Sequence, residues 1–270
     1  MKSRVYTSII FVLVMLGGVY LSEYTFVLLF GVIALLCLWE FYQILQMEGI
    51  LRRVLSTLLG IATYVVVAVF QLTAIDAEAS SFVTLLLLFI PLVYMFFIFE
   101  LYSGSQTPFH NIATSMLGIV YIGLPFTLLE WIALDDGYQP NIVCGLMILN
   151  WINDTAAYLI GSRRGKTLLL PRISPKKTWE GTIGGANFTL ITTVGLTILM
   201  PQLRAIDWVV LAIIVIVFGT LGDLVESMLK RSLQTKDSGN LLPGHGGLLD
   251  RFDSFIFILP FATLYLIWVR

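Results

Sequence analysis

The 270-residue sequence predicts an all-α polytopic membrane protein of about nine transmembrane helices, with the N-terminus cytoplasmic and the C-terminus external. Three observations lead there. Hydrophobic residues make up 58% of the chain and charged residues only 12%, against roughly one quarter charged in soluble domains, and the mean hydropathy is +0.90. Apolar stretches of about 20 residues, the length that crosses a bilayer as a helix, recur from one end to the other. Finally, fourteen of the 16 Lys and Arg residues fall on one side when these stretches are threaded alternately through a membrane, the bias expected of cytoplasmic loops.

Taken in order, the spans are expected near 5–21, 24–46, 54–75, 81–102, 111–134, 141–161, 182–200, 208–229 and 251–269, with ends good to a few residues. Lys2 and Arg4 precede the first, but no small-residue cleavage site follows, so it is expected to be a retained anchor and not a signal peptide. The basic residues assigned to the cytoplasm are Lys2, Arg4, Arg52, Arg53, Arg163, Arg164, Lys166, Arg172, Lys176, Lys177, Lys230, Arg231, Lys236 and Arg251; only Arg204 and Arg270 fall outside. External turns are short and carry Glu23, Asp76 and Glu78, and Asp135 and Asp136. Cys37 and Cys144 lie inside apolar runs with no disulfide or zinc spacing and read as small hydrophobes. The expected division is 1–135, holding helices one to five, and 136–270, a catalytic region of helices six to nine with two cytoplasmic loops.

Polar groups inside membrane helices are costly and so are candidates for function. Asn150, Asp154, Tyr158 and Gly161 share one helix face, with Asn153 beside them, and lead into Ser162-Arg-Arg-Gly-Lys166. The loop continues as Ser174-Pro-Lys-Lys-Thr-Trp-Glu-Gly181. A loop that merely anchors topology needs only basic residues. A Ser-Pro turn, an interfacial tryptophan, a threonine donor, a glutamate and glycines near Arg163, Arg164, Lys166, Lys176 and Lys177 point instead to a phosphate-binding loop. Gly161 to Thr167 imitates a P-loop, but it has three residues between its glycines where that motif has four, and it follows a membrane helix, so a P-loop fold is excluded.

A second constellation opens with Asp223, Glu226, Ser227 and Lys230, which fall on one helical stripe. Asp223 lies about two turns from the cytoplasmic end, where a cation or a basic partner would offset its charge. Asp250 and Asp253 follow at the start of the last helix, flanking Arg251; helix capping is the competing reading for each. Between them Pro243-Gly-His-Gly-Gly247 offers backbone N–H groups in a flexible turn suited to phosphate oxygens. His-Gly-Gly also occurs in esterase oxyanion holes, but no G-x-S-x-G elbow is present, so acyl hydrolysis is not expected. His245 reads equally as a donor to another site residue, a phosphate contact or a loop brace. Glu40, Glu100 and Glu130 could line a cavity or serve as structural partners. Carboxylates, basic loops and a glycine turn on membrane helices together suggest Mg²⁺-assisted chemistry between a nucleotide and a lipid.

The run from Ser227 to Asp253 resembles the signature of the phosphatidate cytidylyltransferase (CDP-diacylglycerol synthase) family, with Ser227, Lys230, Arg231, Lys236, Asp237, Gly239, His245, Gly246, Gly247, Asp250, Arg251 and Asp253 at its fixed positions. Ser174–Gly181 and Asp154–Tyr158 also look like that family, and the recognisable motifs lie in the C-terminal 45% or so of the chain. The resemblance implies that CTP and phosphatidate give CDP-diacylglycerol and pyrophosphate, with Mg²⁺ as one or two ions and no nucleic acid as partner. By this resemblance Lys230, Arg231, Lys236, His245 and Arg251 are expected to act in catalysis. Gly246 and Gly247 are expected to join Ser174, Lys176, Lys177 and Thr178 in substrate binding. Asp223 and Asp250 are the first metal-ligand candidates, with Asp154, Asp253 and Glu226 behind them. The site is expected to face the cytoplasm, in the plasma or inner membrane if the source is bacterial, and an oligomer is compatible with the sequence. A CTP-dependent polyprenol or phytol kinase is the alternative within enzymes, and a transporter the alternative outside them.

Overall fold

A computed structural model describes residues 2–72, 79–235, 238–239 and 246–269. The chain forms an integral, almost wholly helical protein. Among the described residues seven helices are long and apolar enough to cross a membrane, and two shorter apolar helices, Ile9–Tyr20 and Phe89–Tyr102, lie in the positions of the expected first and fourth spans. The chain divides into two compact units, one of residues 1–135 with 237–249, the other of residues 136–236 with 250–270.

The first unit contains α1 (Lys2–Tyr20), α2 (Glu23–Ile44), α3 (Ile50–Leu72), α4 (Ala79–Tyr102), α5 (Pro108–Gly118) and α6 (Leu124–Leu134), with a π-helical turn at Ile119–Gly123 joining the last two. Ser22 starts α2 with a reciprocal cap: its side chain accepts the Thr25 N–H at 3.1 Å while its own N–H donates to Thr25 Oγ1 at 3.0 Å. Aromatic residues dominate the core, where Phe26, Phe30 and Phe126 are fully buried. Polar groups in hydrocarbon must find partners within the protein. Tyr42 accordingly donates to the Ser115 carbonyl (3.0 Å), Tyr64 to the Val27 carbonyl (2.8 Å) and Thr127 to Thr63 (3.1 Å). Glu100 is the buried partner of Arg52 and also accepts from Asn111 at 3.2 Å, which makes it a structural residue. Glu130 is fully buried, and neither of its oxygens has a hydrogen-bond partner among the described residues.

The second unit contains α7 (Pro140–Arg164), β1 (Leu168–Leu170), β2 (Ser174–Thr178), α8 (Trp179–Leu199), α9 (Ala205–Ile214), a π-helical turn at Val215–Gly219, and α10 (Thr220–Ser232); α11 (Leu249–Val269) supplies its last helix. A close seam joins α7 to α8. A methyl group built on Gly181 or Gly185 would lie 2.8 Å from the backbone oxygen of Ala157 or Asn153, so glycine at these positions lets the two backbones approach, as small residues do between membrane helices. At the far end of α8, Trp208 is fully buried and donates from Nε1 to the Met200 carbonyl at 3.2 Å. Asp207 accepts the Arg204 guanidinium at 2.9 Å and the Tyr265 hydroxyl at 2.8 Å, pinning the start of α9 to α11.

One part of the second unit departs from the all-α expectation. The stretch between α7 and α8 is an antiparallel hairpin, with Leu168 opposite Thr178 and Leu170 opposite Ser174. Its strands are three and five residues long, too short to show the alternation that identifies a strand in a sequence.

Candidate active site

The hairpin and α8 meet at Thr178, which caps α8 by accepting the Gly181 N–H at 3.2 Å. Glu180, in the first turn of α8, reaches back and accepts the N–H groups of Lys166 (3.0 Å) and Thr167 (3.1 Å). The Trp179 N–H donates to the Thr167 carbonyl at 2.9 Å. The hairpin is thus closed at its base by one carboxylate and one backbone bond, and β2 presents Lys176 and Lys177 beside the ends of α7 and α10.

There a cavity of about 580 Å³ opens within the second unit. Asp154, Tyr158 and Gly161 line it from α7, Lys176, Lys177 and Thr178 from β2, Asp223 from α10, and Asp250 and Arg251 from α11. Three carboxylates and three cations therefore face one space. Lys177 Nζ stands 2.5 Å from Asp223 Oδ2, and Ser227 donates to Asp223 Oδ1 at 3.2 Å. Lys230 Nζ bridges two helices, 2.6 Å from both Glu226 Oε2 and Asp250 Oδ1. The helical stripe read from the sequence appears in these i, i+4 contacts, Asp223 with Ser227 and Glu226 with Lys230.

Other expected residues sit away from the cavity lining. Glu226 is fully buried behind Lys230. Asp253 is buried, and its Oδ1 accepts the Ser254 N–H at 2.6 Å. Arg231 is exposed and donates from Nε to the Ile173 carbonyl at 3.5 Å, tying α10 to the hairpin turn. Ser174 opens β2 opposite Leu170. Gly246 and Gly247 belong to the first unit, where Gly246 has φ +82° and Gly247 packs against Ser238 and Glu40. Lys236 and His245 lie outside the described residues. Glu40 takes the structural one of the two roles open to it in the sequence, and Glu180 is structural too; no spacing rule links either to its backbone partners.

The helix face of α7 opposite Asp154 borders a second space in the same unit. Ile152, Ala156, Leu159, Ile160 and Phe188 wall this groove of about 510 Å³, and Arg163 and Arg164 stand at its polar end. One helix thus separates a charged cavity from an apolar groove.

Residues 2–269 match the model of the cytidylyltransferase family. The chain belongs to the cytidylyltransferase family. Members similar over the full length include proteins named phosphatidate cytidylyltransferase. One is from Bacillus subtilis, 31% identical over 267 residues, covering 98% of this chain and 97% of the relative. Another, from Staphylococcus saprophyticus, is 34% identical and covers both chains completely. A third, from Staphylococcus haemolyticus, is 34% identical over 99% of each chain. The family assignment covers the N-terminal helices as well as the polar motifs of the C-terminal half.

Proposed function

We propose that this protein transfers the cytidylyl group of CTP to phosphatidate, giving CDP-diacylglycerol and pyrophosphate. Membership of the family and the full-length likeness to proteins named for this reaction support it. The observation that carries it at the chemical level is the single cavity shared by Asp154, Asp223 and Asp250 with Lys176, Lys177 and Arg251.

An oxygen of the lipid phosphate forms the new bond to the α-phosphorus of CTP, while the bond from that phosphorus to the β-phosphate bridge breaks and pyrophosphate departs. The attacking phosphate is already anionic at neutral pH, so the site needs no strong base. What it needs is suppression of repulsion between two anions and in-line placement. Lys176, Lys177 and Arg251 bring positive charge to the cavity for this purpose. Thr178 keeps its hydroxyl hydrogen free to donate, since its oxygen serves the helix cap as an acceptor.

Among the described residues no three Asp, Glu, His or Cys side chains form a self-sufficient metal cluster. Mg²⁺ does not require one: it binds one or two carboxylates and fills its other positions with water and phosphate oxygens. The hard oxygen donors of Asp223 and Asp250, with Asp154 beside them in the same cavity, fit that habit. When bound, the ion would neutralise charge on the triphosphate.

We extend the proposal to topology: nine spans, counting the two shorter apolar helices, with the cavity toward the cytoplasm. The basic-residue bias supports this orientation, and bacterial relatives make the plasma membrane the expected location. The deciding experiment supplies purified protein with phosphatidate, Mg²⁺ and CTP labelled at either the α- or the γ-phosphorus. Label from the α position should enter lipid as pyrophosphate is released. Entry of γ label would convert the reading to a lipid kinase, and the absence of any CTP consumption would remove it.

A further inference from the structure

Glu40 lies in α2, and its side chain is almost completely buried, at 1% exposure. The groups around it come from the glycine-rich end of the signature run. Its Oε1 accepts the Leu248 N–H at 3.0 Å and its Oε2 the Leu249 N–H at 2.8 Å, with Ser238 Oγ 3.4 Å from Oε2. Two glycines press on the same carboxylate. A methyl group built on Gly239 would come within 2.6 Å of Oε1, and one on Gly247 within 2.6 Å of Oε2. All three of the nearest atoms to that hypothetical methyl on Gly239 belong to Glu40. A run of backbone donors beside glycines is built to bind an anion, and in this run the anion bound by Leu248 and Leu249 is a side chain of the protein itself.

We propose that Glu40 is the positioning residue of the signature segment. Its carboxylate fixes the backbone at Leu248 and Leu249, one peptide bond before Asp250, and it accounts for glycine at position 239, whereas at 247 Ser238 Oγ and the Gly239 backbone crowd the same space beside it. Buried carboxylates hydrogen-bonded to two backbone N–H groups are strong anchors, because bonds to a charged acceptor are about twice as strong as neutral ones. Leaving those N–H groups unpaired in a buried place is costly in turn. The backbone at Leu248 and Leu249 is therefore held in place by the Glu40 side chain.

The inference rests on the cytidylyl-transfer reading for its effect on rate, but not for its effect on structure, and the test separates the two. Glu40→Gln, Glu40→Ala, Gly239→Ala and the Glu40→Ala/Gly239→Ala double variant are purified in detergent beside the wild type. Hydrogen exchange is followed in a peptide that spans Leu248 and Leu249, with thermal unfolding measured in parallel. Glu40→Gln should speed exchange in that peptide by about tenfold and leave exchange elsewhere unchanged. Gly239→Ala should lower the unfolding temperature in the wild-type background but not in the Glu40→Ala background, where the clashing atoms are gone. In turnover, Glu40→Gln should raise the KM for CTP by about threefold or more as well as lowering kcat, whereas a fraction of unfolded protein would lower kcat alone. Unchanged exchange at Leu248 and Leu249, or equal damage by Gly239→Ala with and without Glu40, would overturn the role. A wild type that never consumes CTP would overturn the reaction assigned above, while exchange and unfolding would still decide the place of Glu40.

Discussion

Lys177 Nζ lies 2.5 Å from Asp223 Oδ2, joining the hairpin strand β2 to the membrane helix α10. Both groups line the cavity, so the pair sets a cation and a carboxylate side by side in the site proposed above for CTP. Asp223→Asn keeps the shape and removes the charge. Cytidylyl transfer should fall by at least about 100-fold, the scale of losing one electrostatic contributor to a phosphoryl-type transition state. Elution of the variant as the wild-type species on size exclusion would show that the fold survives, and retention of near-normal activity would remove Asp223 from the reaction.

Lys230 stands between Glu226 and Asp250, 2.6 Å from each. Glu226 has no exposure to solvent. Lys230→Met should leave two carboxylates facing each other without a cation and lower the unfolding free energy by about 3 kcal/mol, as when one partner of a buried pair is removed. Adding Glu226→Gln to Lys230→Met should recover part of that loss, giving a double variant more stable than the sum of single effects predicts. Thermal unfolding in detergent reads both.

Glu180 closes the hairpin by accepting from Lys166 and Thr167. Glu180→Ala should free both N–H groups and raise the population of open hairpin about tenfold. Trypsin cleaves after Arg172, Lys176 and Lys177, all within or beside the strands, so limited digestion should cut this segment faster in the variant. Equal rates in the two proteins would show that the strand pairing holds without the carboxylate.

The α7–α8 seam depends on bare backbone at Gly181. Gly181→Val should force the helices apart and destabilise the protein by about 1–3 kcal/mol, the usual effect of overpacking a tight contact. Because the seam also carries Thr178 and Gly161 on the cavity wall, cytidylyl transfer should fall along with the unfolding temperature.

Much of this was legible in the sequence because bilayers impose simple rules. Apolar length placed the seven long apolar helices of the described residues to within about four residues, and the i, i+4 stripe in α10 appears in the side-chain contacts of Asp223 and Glu226. Short strands and contacts to backbone were not legible. The strands of Leu168–Leu170 and Ser174–Thr178 are too short for alternation to register. The partners of Glu180 and Glu40 are backbone N–H groups, which every residue but proline owns, so no residue type marks them. Glu40 and Leu249 are 209 positions apart in the chain, and no local pattern reaches that far. The glycines at 246 and 247 were read as a nest for phosphate. That reading accounted for flexible backbone but had no means of finding a carboxylate of α2 beside Gly247.

Apart from strand β2, the walls of the charged cavity come from helices long and apolar enough to cross a membrane, and this changes the units in which the enzyme meets its lipid. A substrate that stays in the bilayer arrives by diffusing in two dimensions. Its governing concentration is therefore the number of phosphatidate molecules per area of membrane, not per volume of solution. CTP arrives from water and follows ordinary molarity. Diluting the lipid with inert lipid at constant bulk amount should therefore slow turnover, while diluting the whole suspension at saturating CTP should not.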